Sequence, residues 1–117
     1  FSLTSDPDIY AVGDCAEVCG LVRHYVAPLR ICAAVIAEHI VGKDSQIVYP
    51  PLPVMLKFPS YPVCFCFKTP PQDWEVTEDQ DGIKALAFDQ KELVGFAVSG
   101  SYLSERNALK KRLVNWI

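Results

Sequence analysis

Trp74-Glu-Val-Thr-Glu-Asp79-Gln-Asp-Gly82-Ile-Lys-Ala-Leu-Ala-Phe-Asp89-Gln-Lys-Glu92-Leu-Val-Gly-Phe-Ala-Val-Ser99 holds three runs with strand character, parted by two short polar breaks. Trp74 to Thr77, Ile83 to Phe88 and Leu93 to Ser99 are rich in the apolar, aromatic and β-branched residues that suit a pleated, half-buried surface. Asp79-Gln-Asp-Gly82 and Asp89-Gln-Lys-Glu92 have the polar, turn-forming residues of tight antiparallel connections. The stretch therefore predicts a β-meander.

Working outward, Val54 to Phe58 and Val63 to Phe67 read as two further short strands. Cys64 and Cys66 alternate in the second of these, so both side chains share one face and suit core packing. After the meander, Leu109, Leu113 and Trp116 repeat at helical spacing, with Leu103 near the start. They predict a helix over 102–116, capped by Ser101 or Ser104. Trp74 and Trp116 read as core anchors. A polar Lys43-Asp-Ser-Gln break and the Pro-rich Tyr49-Pro-Pro-Leu-Pro53 form a stiff connector between this region and what precedes it.

The first forty-odd residues differ in character. Asp8-Ile-Tyr-Ala-Val12 is a short apolar run ending at Gly13-Asp14, which reads as a buried strand of a parallel or mixed sheet. A loop through Gly20 and His24 leads to Pro28 and a helix from about Leu29 to Val41, closed by Gly42. Ile31 to Ala37 is apolar on every side of that helix, so it expects protein on every side. The segment looks like the tail of a larger domain. The fold class is α+β: the last strand and helix of a larger α/β domain over 1–46, then a small domain over 47–117 with an antiparallel β-meander and a terminal helix.

Composition narrows the function. Half of the 117 residues are hydrophobic, enough for a packed core. Eleven Lys+Arg against fourteen Asp+Glu give a net charge of −3, without the basic surface that nucleic-acid binding requires. The chain opens on Phe1 with no charged-then-apolar leader, and its most apolar run is too short to span a bilayer. Five cysteines at 15, 19, 32, 64 and 66 fit neither a disulfide framework nor a zinc knuckle, which points to a reduced, cytoplasmic setting and to no metal site. None of the six glycines forms Gly-x-Gly-x-x-Gly, the turn that cradles a dinucleotide diphosphate.

Asp8-Ile-Tyr-Ala-Val-Gly-Asp14, followed by Cys-Ala-Glu, a loop, a Pro and an Ala-rich helix ending in Gly, resembles the second FAD fingerprint of the pyridine nucleotide–disulfide oxidoreductase superfamily. Within it, Tyr49-Pro-x-x-Pro-Val-x-x-Lys57, Pro62-Val63 and Gly-Phe-Ala-Val-Ser-Gly100 look most like the rubredoxin reductases. The resemblance covers essentially the whole chain. It implies that Asp14 bonds the ribityl chain of FAD, that Val26 through Leu29 lie against the flavin, and that Lys57 contacts FAD. It also implies that the chain is the C-terminal part of an enzyme taking electrons from NAD(P)H through FAD to rubredoxin, with no catalytic residue here and no activity alone. Arg106, Lys110, Lys111 and Arg112 form a basic cluster that could steer an acidic rubredoxin; a solvated helix face is the plainer alternative. A non-catalytic interaction or homodimerisation module of a related ferredoxin or flavorubredoxin reductase is the other functional expectation.

Overall fold

The computed structural model describes residues 4–68 and 73–113, arranged in two compact units that meet in sequence between Pro50 and Pro51. Each unit is built around its own buried residues.

In the first unit, the expected strand over Asp8–Val12 does not form. Tyr10 alone makes a β-bridge, and Ile9 and Val12 are 54% and 39% exposed. A single apolar run becomes a strand only when neighbouring backbone meets its N–H and C=O groups, and no ladder is offered to it among the described residues. The chain then turns at Gly13, whose φ of 95° lies in glycine's territory, with Ala16 N–H donating to Gly13 O at 3.0 Å. A two-residue hairpin follows, β1 (Glu17–Val18) against β2 (Leu21–Val22), with Cys19 and Gly20 both at positive φ. That double left-handed turn matches the twist of a tight hairpin.

Helix α1 runs over Val26–Ile40, three residues earlier than Pro28 suggested. Pro28 sits in the first turn, where backbone N–H groups have no intrahelical partner and its lack of one costs nothing. At the other end Gly42 adopts φ 83°, with Gly42 N–H bonding His39 O and Lys43 N–H bonding Glu38 O. This Schellman arrangement is the stop that Gly42 announces in the sequence. Within α1 only Pro28 and Cys32 are buried. Ala16, Val18, Cys32, Ile47 and Tyr49 make up the small core of this unit.

The second unit is a five-stranded antiparallel sheet with helical cover on one face. Its strands are β3 (Val54–Leu56), β4 (Val63–Phe67), β5 (Trp74–Asp79), β6 (Gly82–Asp89) and β7 (Glu92–Ser99), in the order β3-β4-β7-β6-β5. The predicted meander is β5-β6-β7, and the two earlier runs form a hairpin whose β4 joins the free edge of β7. The register pairs Cys64 with Val98 and Cys66 with Phe96, and Leu86 with Phe96 on the other side. These residues share a face with Leu109 and Leu113, and they form the core on which Tyr102 and Leu103 pack. Cys64 and Cys66 are buried there as the alternation requires, and burial pushes the Cys64 thiol up despite Arg106 nearby.

The terminal helix is shorter and differently built than its periodicity predicts. A 3₁₀ segment over Gly100–Glu105 passes into α2 over Arg106–Arg112, and Leu113 is already extended. Neither Ser101 nor Ser104 caps it; Ser104 Oγ donates back to Ser101 O at 3.0 Å. Ser101 N–H is instead committed to Asp81 O at 2.9 Å, which ties the first turn to the β5–β6 connection and winds it tightly. Residues 114–117, including Trp116, lie outside the described residues. Trp74 is not a core anchor: it stands 37% exposed on edge strand β5.

The same connection holds a polar lock. Asp79 Oδ1 accepts the Asp81 N–H at 2.8 Å and the Gly82 N–H at 3.2 Å, and Tyr102 donates its hydroxyl to Asp79 Oδ2. These donors, Tyr102 first, hold the Asp79 carboxyl below its ordinary value and push the Tyr102 phenol above its own. A carboxyl whose folded value is depressed stabilises the fold above its unfolded value near pH 4. That stabilisation fades as the pH falls through the lower folded value. Urea midpoints measured from pH 6 down to pH 2 should therefore fall less steeply in Asp79→Asn than in the parent. Identical slopes would remove Asp79 from the acid-sensitive groups.

Candidate functional site

In the first unit, the turn at Gly13 presents Asp14 to solvent. The Asp14 carboxylate is 3.8 Å from His24 Nδ1, and the side chains are 74% and 69% exposed. An exposed pair at that distance holds Asp14 only loosely, so its oxygens stay open to a hydroxyl-bearing ligand. Val26, the first residue of α1, is 68% exposed and offers a flat apolar contact beside the helix start. The N-cap Tyr25 makes no side-chain cap bond, so the first-turn N–H groups of α1 are left to meet an electron-rich group.

Beneath the turn lies a narrow cleft lined by Gly13, Ala16, Val18, Pro28, Leu29 and Cys32, with Arg23 and Tyr49 closing it. The Arg23 guanidinium carbon stands 5.0 Å from the centre of the Tyr49 ring, a cation–π distance. Arg23 Nη1 reaches the Tyr25 hydroxyl at 3.3 Å. The buried Tyr49 hydroxyl and the Cys32 thiol lie 2.8 Å apart, pinning the segment after α1 onto the helix. Burial, then the Cys32 thiol beside it, push the Tyr49 phenol well above its ordinary value, so it remains a neutral donor. Tyr49→Phe keeps the ring under Arg23 and removes one buried hydrogen bond, at an expected cost of about 1 kcal/mol in a chemical melt of this unit. A loss no larger than that of an exposed control, Val48→Ala, would assign the pin no role.

The residues of this cleft escape a motif-based reading. Tyr49 stands in a Pro-rich connector, and Arg23 beside His24 looks like an ordinary loop cation. The signal that could have exposed them is an arginine and an aromatic residue flanking a largely apolar helix.

The second unit carries the other expected residues. Lys57 follows β3 and is exposed in the connection to β4, near exposed Phe58 and Tyr61. Arg106, Lys110, Lys111 and Arg112 all lie on α2, as the sequence proposes. They are not equivalent. Arg106 is half-buried and spends Nη1 on Leu103 O at 2.8 Å, whereas Lys110, Lys111 and Arg112 are exposed in the last turn. Leu109 and Leu113 turn the opposite face into the core. The three free cations also oppose the negative end of the helix dipole. Among the described residues, no group of His, Cys, Asp and Glu could hold a metal ion, and no helix is long and apolar enough to cross a membrane.

A family described as the rubredoxin binding C-terminal domain matches residues 46–113, the whole described sheet-and-helix unit. A nitric oxide reductase FlRd-NAD(+) reductase of Vibrio vulnificus is 37% identical over 112 residues, covering 94% of this chain and 29% of the relative. A rubredoxin-NAD(+) reductase of Alcanivorax borkumensis is 38% identical over 114 residues, covering 94% of this chain and 30% of the relative. The crystal structure of NADH:rubredoxin oxidoreductase from Clostridium acetobutylicum superposes with a TM-score of 0.74 at 23% identity, over 99% of this chain and 31% of that one, a likeness of fold. The chain thus spans about 30% of the length of the curated relatives it matches.

Proposed function

Because the chain belongs to the rubredoxin-binding C-terminal domain family, we propose that it serves a flavoprotein reductase passing electrons from NAD(P)H through FAD to rubredoxin. The observation that carries this reading is the extent of the family match, which coincides with the sheet, the 3₁₀ segment and α2. In this reading residues 1–46 end the FAD-binding domain and residues 47–117 help to seat the protein partner.

The residues of the first unit fit one wall of an FAD site. Gly13 at φ 95° brings backbone close without a side chain, the Asp14 carboxylate can accept from a ribityl hydroxyl, and Val26 gives the ring an apolar rest. The uncapped first turn of α1 favours negative charge near the ring. FAD, when bound, supplies the conversion of a two-electron hydride into single electrons. Lys57 is assigned to the same cofactor. The chain's own part is to bind and orient, and the isolated chain is expected not to oxidise NADH.

Partner docking falls to α2. Lys110, Lys111 and Arg112 project from its last turn, and a local cationic patch on a chain of net charge −3 attracts an acidic redox protein in a chosen orientation. Titration of the labelled chain with oxidised rubredoxin at low salt should shift the amides of residues 106–113. Reversing Lys110, Lys111 and Arg112 to Glu should weaken binding roughly ten-fold or more at low salt, with the difference closing at high salt. Shifts confined to other parts of the chain, or a reversal without effect, would remove α2 from the docking surface.

A second reading, a homodimerisation module without chemistry of its own, is favoured by the sheet face away from α2. There Val76 is 60% exposed and Trp74 and Phe67 are 37% exposed. A stable dimer in sedimentation whose mass reverts to monomer in Val76→Glu would support it.

A further inference from the structure

Phe58 is the most exposed aromatic residue among the described ones, at 59%, and Tyr61 stands three residues further on at 44%. Both belong to the loop that joins β3 to β4, and that loop is held by its own bonds. Tyr61 N–H donates to Phe58 O at 3.2 Å, closing a four-residue turn with Pro59 at its second position, where a fixed φ suits the turn. Pro62 restrains the exit. The Tyr61 hydroxyl is anchored as well. It accepts from Ser99 Oγ at 3.0 Å, and the buried Ser99 Oγ accepts the Ile83 N–H at 3.1 Å. Two large rings are thus held out to solvent on a backbone with little freedom left to lose. Rigid aromatic side chains of this kind serve as anchors for partner proteins, because most of their ordering has already occurred on folding.

Charge indicates the kind of partner that fits. From Pro51 to Lys68 the chain has no Asp or Glu, and its two charged residues are Lys57 and Lys68. Glu75, Glu78 and Asp79 lie on β5, at the opposite edge of the sheet. An acidic protein is repelled from β5 and received at the β3–β4 end. We propose that the Phe58–Tyr61 turn is the apolar anchor for the acidic redox protein, with Phe58 entering an apolar patch on that partner and Tyr61 flanking it. The anchor rests on the rubredoxin-docking reading and adds a division of labour to it. Lys110, Lys111 and Arg112 act at long range on the rate of encounter. Phe58 acts at contact, and therefore on the lifetime of the complex. Lys57 keeps its cofactor assignment.

The test measures association and dissociation rates between oxidised rubredoxin and the full chain at low and high salt. Phe58→Ser should raise the dissociation rate about ten-fold or more at both salt concentrations, with the association rate nearly unchanged. Phe58→Tyr should stay within about three-fold of the parent, and Tyr61→Phe, which frees the turn from Ser99, should lie between the two. Phe58→Ser should keep the parent's circular dichroism, since its ring lies outside the core. If it does not, the Phe58 ring protons of the parent decide alone, and they should shift as rubredoxin is added. A slower association with unchanged dissociation, an effect confined to low salt, or ring protons unmoved at saturation would overturn the anchor. So would ring shifts that follow the chain's own concentration without rubredoxin, the mark of a second copy, or shifts confined to the β3 amides, the mark of strand addition. A parent chain that binds no rubredoxin overturns the docking reading and the anchor together. A parent that binds, with Phe58→Ser at the parent's rates, overturns the anchor alone.

Discussion

Phe96→Ala should abolish cooperative folding of the sheet-and-helix unit at room temperature. Phe96 is fully buried on central strand β7, between Cys66 and Leu86 on the flanking strands and in the cluster with Leu109 and Leu113. Truncating such a ring removes its burial and leaves a void that the flanking strands cannot close, at about 3–5 kcal/mol. A unit of this size has a total stability on the order of that loss. Val76→Ala, on the exposed edge, should change the unfolding free energy from a urea melt by less than about 0.5 kcal/mol. Comparable losses in the two variants would mean that β7 is not the centre of the core.

Gly100→Ala should be nearly as damaging, for a backbone reason. Gly100 has φ 60°, and a Cβ built on it would stand 1.9 Å from Asp81 O. Gly82 faces it from the other side: its own Cβ would lie 2.3 Å from Ser99 O. Each glycine is therefore required by the other's strand, and neither main chain can retreat without losing the Ser101–Asp81 hydrogen bond. The expected cost is about 3 kcal/mol, from left-handed strain plus displacement of the connection. Gly42→Ala isolates the conformational part, since Gly42 has φ 83° and nothing within 4 Å of a Cβ. It should cost about 1 kcal/mol in its own unit. Loss of the Tyr102–Asp79 bond in Gly100→Ala, read from the Tyr102 titration, would show that the connection has moved. A melt equal to that of Gly42→Ala would refute the interlock.

These features differ in how far the residues alone disclose them. The β5-β6-β7 meander is legible because its connections are local and its turn residues carry their own conformational preferences. Even so, Gln90 and Lys91 both adopt positive φ without being glycine, a cost that the flanking ladder overrides. The placement of β4 beside β7 is not legible, because pairing across some thirty residues leaves no local mark. The Asp8–Val12 run has the apolar content of a strand, yet pairing depends on a neighbour that content does not reveal. The apolar periodicity overstates the length of α2 for a related reason: Leu103, Leu109 and Leu113 do face the core, but a tertiary bond to Asp81 rewinds the segment before Arg106. At the candidate site, Asp14, Val26 and the α2 cations Lys110, Lys111 and Arg112 are exposed at the turn, helix start and helix end where the sequence puts them. The place of Arg23 is not legible, because only three-dimensional packing sets it over Tyr49.

The exposed strand β5 has a consequence for how this protein behaves in bulk solution. All six of its residues are exposed, no strand pairs its outer backbone groups among the described residues, and it carries Glu75, Glu78 and Asp79. An open edge bearing Trp74 and Val76 is a template for another chain's strand, and mutual repulsion of those carboxylates is what discourages the encounter. The guard is a matter of charge rather than of shape. Added salt screens it while leaving the buried core intact, and colloidal stability should fall as ionic strength rises, as turbidity that precedes any change in circular dichroism.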